Sequence, residues 1–82
     1  MKKYYVIQAK CFDHPHYVNN IKLWSDGELK EYHLTTEKTA ARRWLNKNKA
    51  RYYFWLIRER FNEKNPHKLV FEDRFEITTI EE

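Results

Sequence analysis

The first part of the chain alternates between apolar and polar residues in a way that predicts β-strands. Residues 3–11 are rich in aromatic and β-branched side chains at both alternating positions, which predicts a strand covered on both faces. A second strand is predicted over 17–24, with a bulge at Asn19-Asn20, and a third over 28–34. The tripeptide Ser-Asp-Gly at 25–27 is typical of a tight turn, because Asp-Gly tolerates positive φ angles. Together these features predict an antiparallel hairpin.

The middle of the chain has helical periodicity, and we predict one long helix over 47–63. At about 100° per residue, one set of apolar side chains falls within a single arc of about 100°, which is typical of a helix that faces a core. This predicted core stripe consists of Ala50, Tyr53, Phe54, Ile57 and Phe61. A short helix or turn is predicted over 39–45, with one helix from 37 to about 63 as the alternative. Asn46 or Asn48 can cap the long helix, and Asn65-Pro66 is expected to end it.

The last part of the chain is again β-prone, over 68–71 and 74–80. Phe75 and Ile77 are expected to share one face of the final strand, with Ile80 on the other. The element order β-β-β-α-β predicts an α+β fold: a small antiparallel β-sheet of three to five strands with one long helix packed on one face. Because 82 residues suit one domain, we predict a single α+β domain over 1–82.

The long helix carries more large side chains than one core stripe uses. Tyr52, Trp55 and Leu56 fall outside the stripe, so either another part of the chain covers them or they form a contact surface. Aromatic residues and arginine are enriched at binding hot spots, and Arg51 and Arg58 lie nearby. The sequence therefore predicts a partner-binding surface made of Arg51, Tyr52, Trp55, Leu56 and Arg58, and the same surface also fits a homodimer.

Positive charge is concentrated in residues 36–68, which hold ten Lys and Arg against three acidic residues in a chain of net charge +4. Such a segment fits a nucleic acid or an acidic protein surface. Nucleic-acid binding is therefore the alternative function, with helix cations on phosphates and Tyr52 or Trp55 stacked on bases. The cations of this alternative are Arg42, Arg43, Lys47, Lys49, Arg51 and Arg58.

The sequence contains no catalytic signature, and we expect neither an enzyme nor a cofactor. Its one glycine belongs to the hairpin turn, so a glycine-rich phosphate loop is absent. Cys11, His14 and His16 lack the second ligand pair of a closed zinc site, and His33 completes a set only if the sheet brings it near. The single cysteine, the lack of an apolar run of membrane-spanning length and the lack of a signal-peptide core predict a cytoplasmic protein without membrane contact.

The layout also carries a resemblance. YYVIQAK is followed by the hairpin, by Thr36, Ala40 and Trp44 at four-residue spacing, by Lys47 and Ala50 at the helix start, and by a closing FEITTIEE. This arrangement resembles small phage or mobile-element proteins of Gram-positive bacteria, which include anti-CRISPRs. The resemblance covers the layout of most of the chain and transfers no functional residue. It implies a non-enzymatic protein that inhibits or modulates a host protein, such as a defence nuclease or its complex, by stoichiometric contact.

Overall fold

The computed structural model describes residues 2–10, 13–65 and 70–81. Within these residues, four strands form one antiparallel sheet and one α-helix lies across it. The strands are β1 (Lys3–Ala9), β2 (His16–Leu23), β3 (Leu29–Thr35) and β4 (Phe75–Glu81), in the spatial order β3-β2-β1-β4, and the helix is α1 (Lys47–Lys64). The predicted α+β class and the order β-β-β-α-β are confirmed.

Strand β1 is central, but it is flanked differently on its two sides. It pairs with β4 along its full length and with β2 only near its C-terminal end. Residues 42–44 fill the remaining space between β1 and β2. Tyr5 and Trp44 exchange two backbone hydrogen bonds of 2.8 and 3.0 Å, and the Arg42 N–H donates to the Val18 carbonyl at 2.9 Å. These bonds satisfy backbone groups of β1 and β2 that would otherwise lack a partner strand.

This pairing overturns the predicted helix over 39–45. Lys38–Ala40 form one turn of 3₁₀ helix, Ala41 has extended dihedral angles, and Trp44 forms an antiparallel bridge with Tyr5. Extended backbone sends residues three apart to opposite faces, whereas a helix sends them to the same face. Ala41 and Trp44 are buried in the two separate clusters on the opposite sides of the sheet. Burial of both residues therefore favours the extended form over the local helical preference.

The β2–β3 hairpin has the predicted turn and the predicted bulge. Gly27 adopts φ 89°, a value that a residue with a Cβ rarely takes. Asn19 is the extra residue of the bulge in β2, and Lys30 is the extra residue of a second irregularity in β3. The second one shifts the alternation by one residue, so that Leu29 and Tyr32 both pack toward the helix.

The larger core lies between the sheet and α1, and its centre is Phe71. This ring lies 4.9 Å from that of Phe54, 5.5 Å from that of Phe61 and 4.8 Å from that of Phe75, measured between centroids. The β preference predicted for 68–71 is wrong at Phe71, because Phe71–Asp73 form a 3₁₀ helix. Residues 68 and 69 of that prediction lie outside the described part of the chain. The predicted stripe of α1 faces this core, with Ala50 and Ile57 buried and its three rings half-buried.

A smaller cluster covers the opposite face of the sheet. Its members are Val6, Tyr17, Ala41 and Ile80. Strand β1 is therefore covered on both faces, and Ile80 lies opposite Phe75 and Ile77, as predicted. Among the described residues, no helix combines the length and the apolar character that crossing a membrane requires.

Candidate functional site

Helix α1 presents two large rings to solvent. Tyr52 is 51% exposed and Trp55 is 52% exposed. Because residues three and four apart are neighbours on a helix, Trp55 lies beside Tyr52, Arg51 and Arg58. The structure thus brings four of the five predicted partner-binding residues onto one surface. We call this surface, formed by Arg51, Tyr52, Trp55 and Arg58, the aromatic face.

Leu56 does not belong to the aromatic face, because the chain itself covers this residue, and its prediction as a partner-binding residue is corrected. It is only 9% exposed and is part of the larger core. The cover comes from the end of the β2–β3 hairpin, where Leu29 and Trp24 line the same groove as Leu56. The helical wheel places Leu56 outside the core stripe and contains no information about the position of the hairpin, so its burial follows from tertiary packing.

Arg58 lies beside Trp55, and its guanidinium group is held by two carboxylates of the same chain. Its Nε donates to Glu72 Oε1 at 2.8 Å, and its Nη1 lies 3.9 Å from Glu59 Oε1. The first bond ties α1 to the 3₁₀ helix that begins at Phe71. A hydrogen bond from the Glu72 backbone and the bond from Arg58 lower the pKa of the Glu72 carboxyl.

A groove of about 230 Å³ separates α1 from the end of the hairpin. Trp55 lies on the helix side and Trp24, which is 54% exposed, on the hairpin side. Buried leucines and charged residues complete the lining: Glu28, Leu29, Leu56, Glu59, Arg60 and Glu63. The groove therefore has two tryptophans at its sides, an apolar base and three carboxylates against one guanidinium.

The turn holds the hairpin side of this groove in place. The Trp24 N–H donates to the Glu28 carbonyl at 2.8 Å, and the Gly27 N–H donates to the Trp24 carbonyl at 2.9 Å. Asp26 Oδ1 accepts a further bond from the Glu28 N–H at 3.0 Å. Sequence reasoning missed Trp24. The available signal was a large ring directly before a hairpin turn, but its position opposite Trp55 depends on packing between two elements.

A second cleft, of about 440 Å³, lies near the start of α1. Its lining includes Arg42, Lys49, Tyr52 and two stacked rings, Trp44 and Tyr53, whose centroids are 5.4 Å apart. The Arg42 guanidinium lies 5.6 Å from the Trp44 centroid and 5.4 Å from the Tyr53 centroid. Asn46 caps the helix here, accepting from the Asn48 N–H at 2.8 Å. This cleft is basic and aromatic, in contrast to the groove beside Trp24.

The six cations of the nucleic-acid alternative do not share one surface. Arg42 and Lys49 meet in the second cleft, and Lys47 and Arg51 are exposed on the first turns of α1. Arg43 lies over the Tyr4 ring, 5.4 Å from its centroid. Arg58 is paired with Glu72, as described above.

The histidines that the sequence singled out make short local contacts. His16 Nδ1 is 2.8 Å from the His14 carbonyl oxygen, and His33 Nε2 is 3.6 Å from Glu31 Oε1. Cys11 lies outside the described residues. Over 2–10, 13–65 and 70–81, no three His, Cys, Asp or Glu side chains come together as a metal site would require.

The exposed aromatic residues thus border two depressions of opposite charge at different positions along α1. One is acidic and lies beside the hairpin end, and the other is basic and lies beside the helix start. Comparison of the chain with protein-family models, with curated proteins and with solved structures found no match.

Proposed function

We propose that this protein is a non-enzymatic protein-binding module whose partner contacts the aromatic face and Trp24. The observation that carries the proposal is the half-exposure of Tyr52, Trp55 and Trp24 in a chain of only 82 residues. Large rings normally contribute to the core of so small a domain. Exposed Trp, Tyr and Arg side by side are typical of the central residues of a protein interface.

The exposed area indicates that these rings are anchors within a wider contact. A buried Trp or Tyr removes about 150–250 Å² from water, so three half-exposed rings offer roughly 200–400 Å². At about 25 cal/mol per Å², this amounts to about 5–10 kcal/mol before costs. Association itself costs about 4–15 kcal/mol. A stable complex therefore requires further contacts around the rings, within an interface of about 800 Å² on each partner.

Tyr52 and Trp24 already have contacts within the chain before binding, which reduces the entropy that a partner must remove. The Tyr52 ring packs edge-on against that of Tyr53 at 5.4 Å, and Tyr53 stacks on the buried Trp44. Lys30 lies over the Trp24 ring, with its Nζ 4.8 Å from the centroid. The aromatic face therefore lies on a helix that packs against the sheet, and Trp24 lies directly before a hydrogen-bonded turn.

The partner that we propose is a host protein, such as a defence nuclease or its complex. Binding would inhibit or modulate it stoichiometrically, as anti-CRISPR-like proteins of phages and mobile elements do. This finer part of the proposal rests on the layout over most of the chain, from the YYVIQAK strand to the closing FEITTIEE.

The double variant Tyr52→Ser/Trp55→Ser tests the proposal. We expect affinity capture from the organism that carries the gene to retain a protein with the wild type and to lose it with this variant. Val70→Ser is the control, because Val70 is likewise exposed but is not part of the aromatic face. Thermal unfolding of each variant shows whether the fold is kept. Capture that survives in a folded double variant would refute the role of the aromatic face, and a concentration-dependent mass of the wild type would instead identify a homodimer.

Nucleic-acid binding is the second candidate, because Arg42, Lys49 and Tyr52 meet in one cleft beside two further rings. Cations on phosphates with a ring for base stacking are the elements of single-strand recognition. This candidate predicts binding to single-stranded DNA or RNA that weakens steeply as salt rises, because phosphate contacts release counterions. An Arg42→Gln/Lys49→Gln variant should then bind more weakly than the wild type. Absence of binding at low salt would exclude this function.

A further inference from the structure

We propose that the groove between Trp24 and Trp55 binds a lysine or arginine side chain of the partner protein. This inference rests on the proposed function and specifies the chemistry of the partner at one point of the interface. The combination that carries it is two exposed tryptophans, a buried leucine base and a surplus of carboxylates in one groove.

The size of the groove favours one side chain over a larger ligand. Its volume of about 230 Å³ is below the roughly 300–1,000 Å³ of typical small-molecule and cofactor sites. A long cationic side chain has an apolar stem and a charged end. The stem can lie on Leu29 and Leu56, which form the apolar base, while the charged end reaches the carboxylates.

The charge of the groove is opposite to that of the chain. Glu28, Glu59 and Glu63 line it together with Arg60, whereas the protein as a whole carries +4. Glu28 and Glu63 have no ion-pair partner in the described part of the chain, and Glu59 has the 3.9 Å contact with Arg58. Charges more than about 8 Å away are largely screened at physiological ionic strength, and near the groove the three carboxylates outnumber the two cations, Arg60 and the Lys30 ammonium beside Trp24.

The aromatic walls add a second attraction for a cation. An ammonium or guanidinium group is attracted to the face of a tryptophan within about 6 Å of its centroid. The chain itself places the Lys30 ammonium 4.8 Å from the Trp24 centroid, so this ring already accepts one cation. Trp55 provides a further ring on the opposite side of the groove. An acidic partner segment would meet three carboxylates here and is disfavoured.

The indole N–H signals in ¹⁵N NMR spectra report this site directly, since the chain has three tryptophans. The probe is hexalysine at physiological salt, and hexaglutamate is the opposite-charge control. We expect hexalysine to move the Trp24 and Trp55 signals saturably and to leave the signal of the buried Trp44 in place. Single Trp→Phe variants assign the three signals.

Paired charge variants give the decisive comparison. Glu28→Gln/Glu63→Gln should weaken hexalysine binding about 2- to 30-fold, the range expected for the loss of two exposed ion pairs. Glu37→Gln/Glu81→Gln removes the same charge outside the groove and should change binding less than about twofold. Equal weakening by both pairs, or no movement of either exposed indole signal, overturns the inference. Movement of the two signals with protein concentration alone also overturns it, because the occupant is then a second copy.

The two proposals can fail separately. If capture of the partner depends on Tyr52 and Trp55 but hexalysine does not bind the groove, the binding function stands and the cation site is refuted. If hexalysine binds as expected but capture is independent of both rings, the groove is confirmed as a cation site and the proposed function is refuted.

Discussion

Replacement of Phe71 by alanine should remove a large part of the stability of this domain. The Phe71 side chain is 1% exposed and contacts three other phenylalanine rings. Burial of about 150–250 Å² at about 25 cal/mol per Å² corresponds to roughly 4–6 kcal/mol, part of which the alanine retains. With the cost of the cavity included, we expect a loss of about 3–5 kcal/mol. At about 0.05–0.15 kcal/mol per residue, the whole domain has only about 4–12 kcal/mol.

Urea unfolding followed by circular dichroism measures this loss. Val70→Ala is the neighbouring control, because Val70 is 57% exposed and its truncation should cost less than about 0.5 kcal/mol. Phe71→Leu should lie between the two, since leucine fills part of the cavity. A loss below about 1 kcal/mol for Phe71→Ala would show that the ring is not at the centre of the core, and would refute the reasoning.

Three further predictions follow from individual contacts. Leu56→Ala should cost about 2–5 kcal/mol in urea unfolding and Tyr52→Ala about 1 kcal/mol or less, and equal costs would contradict the separation of core from surface on α1. Gly27→Ala should cost about 1–2 kcal/mol through its positive φ alone, because the added Cβ meets no atom within 4 Å. A change below about 0.3 kcal/mol would contradict this turn geometry. The lowered pKa of Glu72 means that its contribution to stability is present above its unfolded pKa and is lost as pH falls through the lowered folded value. The difference in unfolding free energy between wild type and Glu72→Gln should therefore shrink between pH 7 and pH 3, and a constant difference would contradict it.

The pH dependence expected for Glu72 also involves Arg58, its hydrogen-bond partner. The hydrogen bond from Arg58 is one of the causes that lower the pKa of Glu72. Since the same arginine borders Trp55, protonation of Glu72 weakens one of the two carboxylate contacts of Arg58 at the edge of the aromatic face and leaves the contact with Glu59. The predicted partner surface is therefore coupled to the ion pair that joins α1 to the 3₁₀ helix at Phe71.

Local patterns in the sequence predict most elements of this fold because backbone geometry fixes their periods. Alternation over two residues predicted the faces of β1 and β4, and the 3.6-residue period predicted the core stripe of α1. The turn at Gly27 was predictable because its conformation requires a residue that tolerates positive φ. Local periodicity predicted a short helix over 39–45 incorrectly. Trp44 instead forms two hydrogen bonds with the central strand β1, and no local pattern indicates these bonds.

Some residues of the candidate site were likewise predictable from the sequence, whereas others depend on tertiary packing. Tyr52, Trp55 and Arg51 were predictable as one surface, since they follow from the helix period alone. Leu56 was misassigned because a helical wheel shows angles and not neighbours, and the hairpin end covers its flank of α1. Arg58 was predicted as a surface residue, and its bond to Glu72 follows from the placement of the 3₁₀ helix.

The sequence by itself thus determined the α+β class, the element order and the set of rings that exceeds one core stripe. Only the tertiary structure decided which of those rings are exposed and what lies opposite them. Trp24 and Trp55 are 31 positions apart in the chain, and their common groove with Glu28 and Glu63 depends on the angle at which α1 crosses the hairpin. Such an angle results from the packing of whole elements, which local periodicity does not specify.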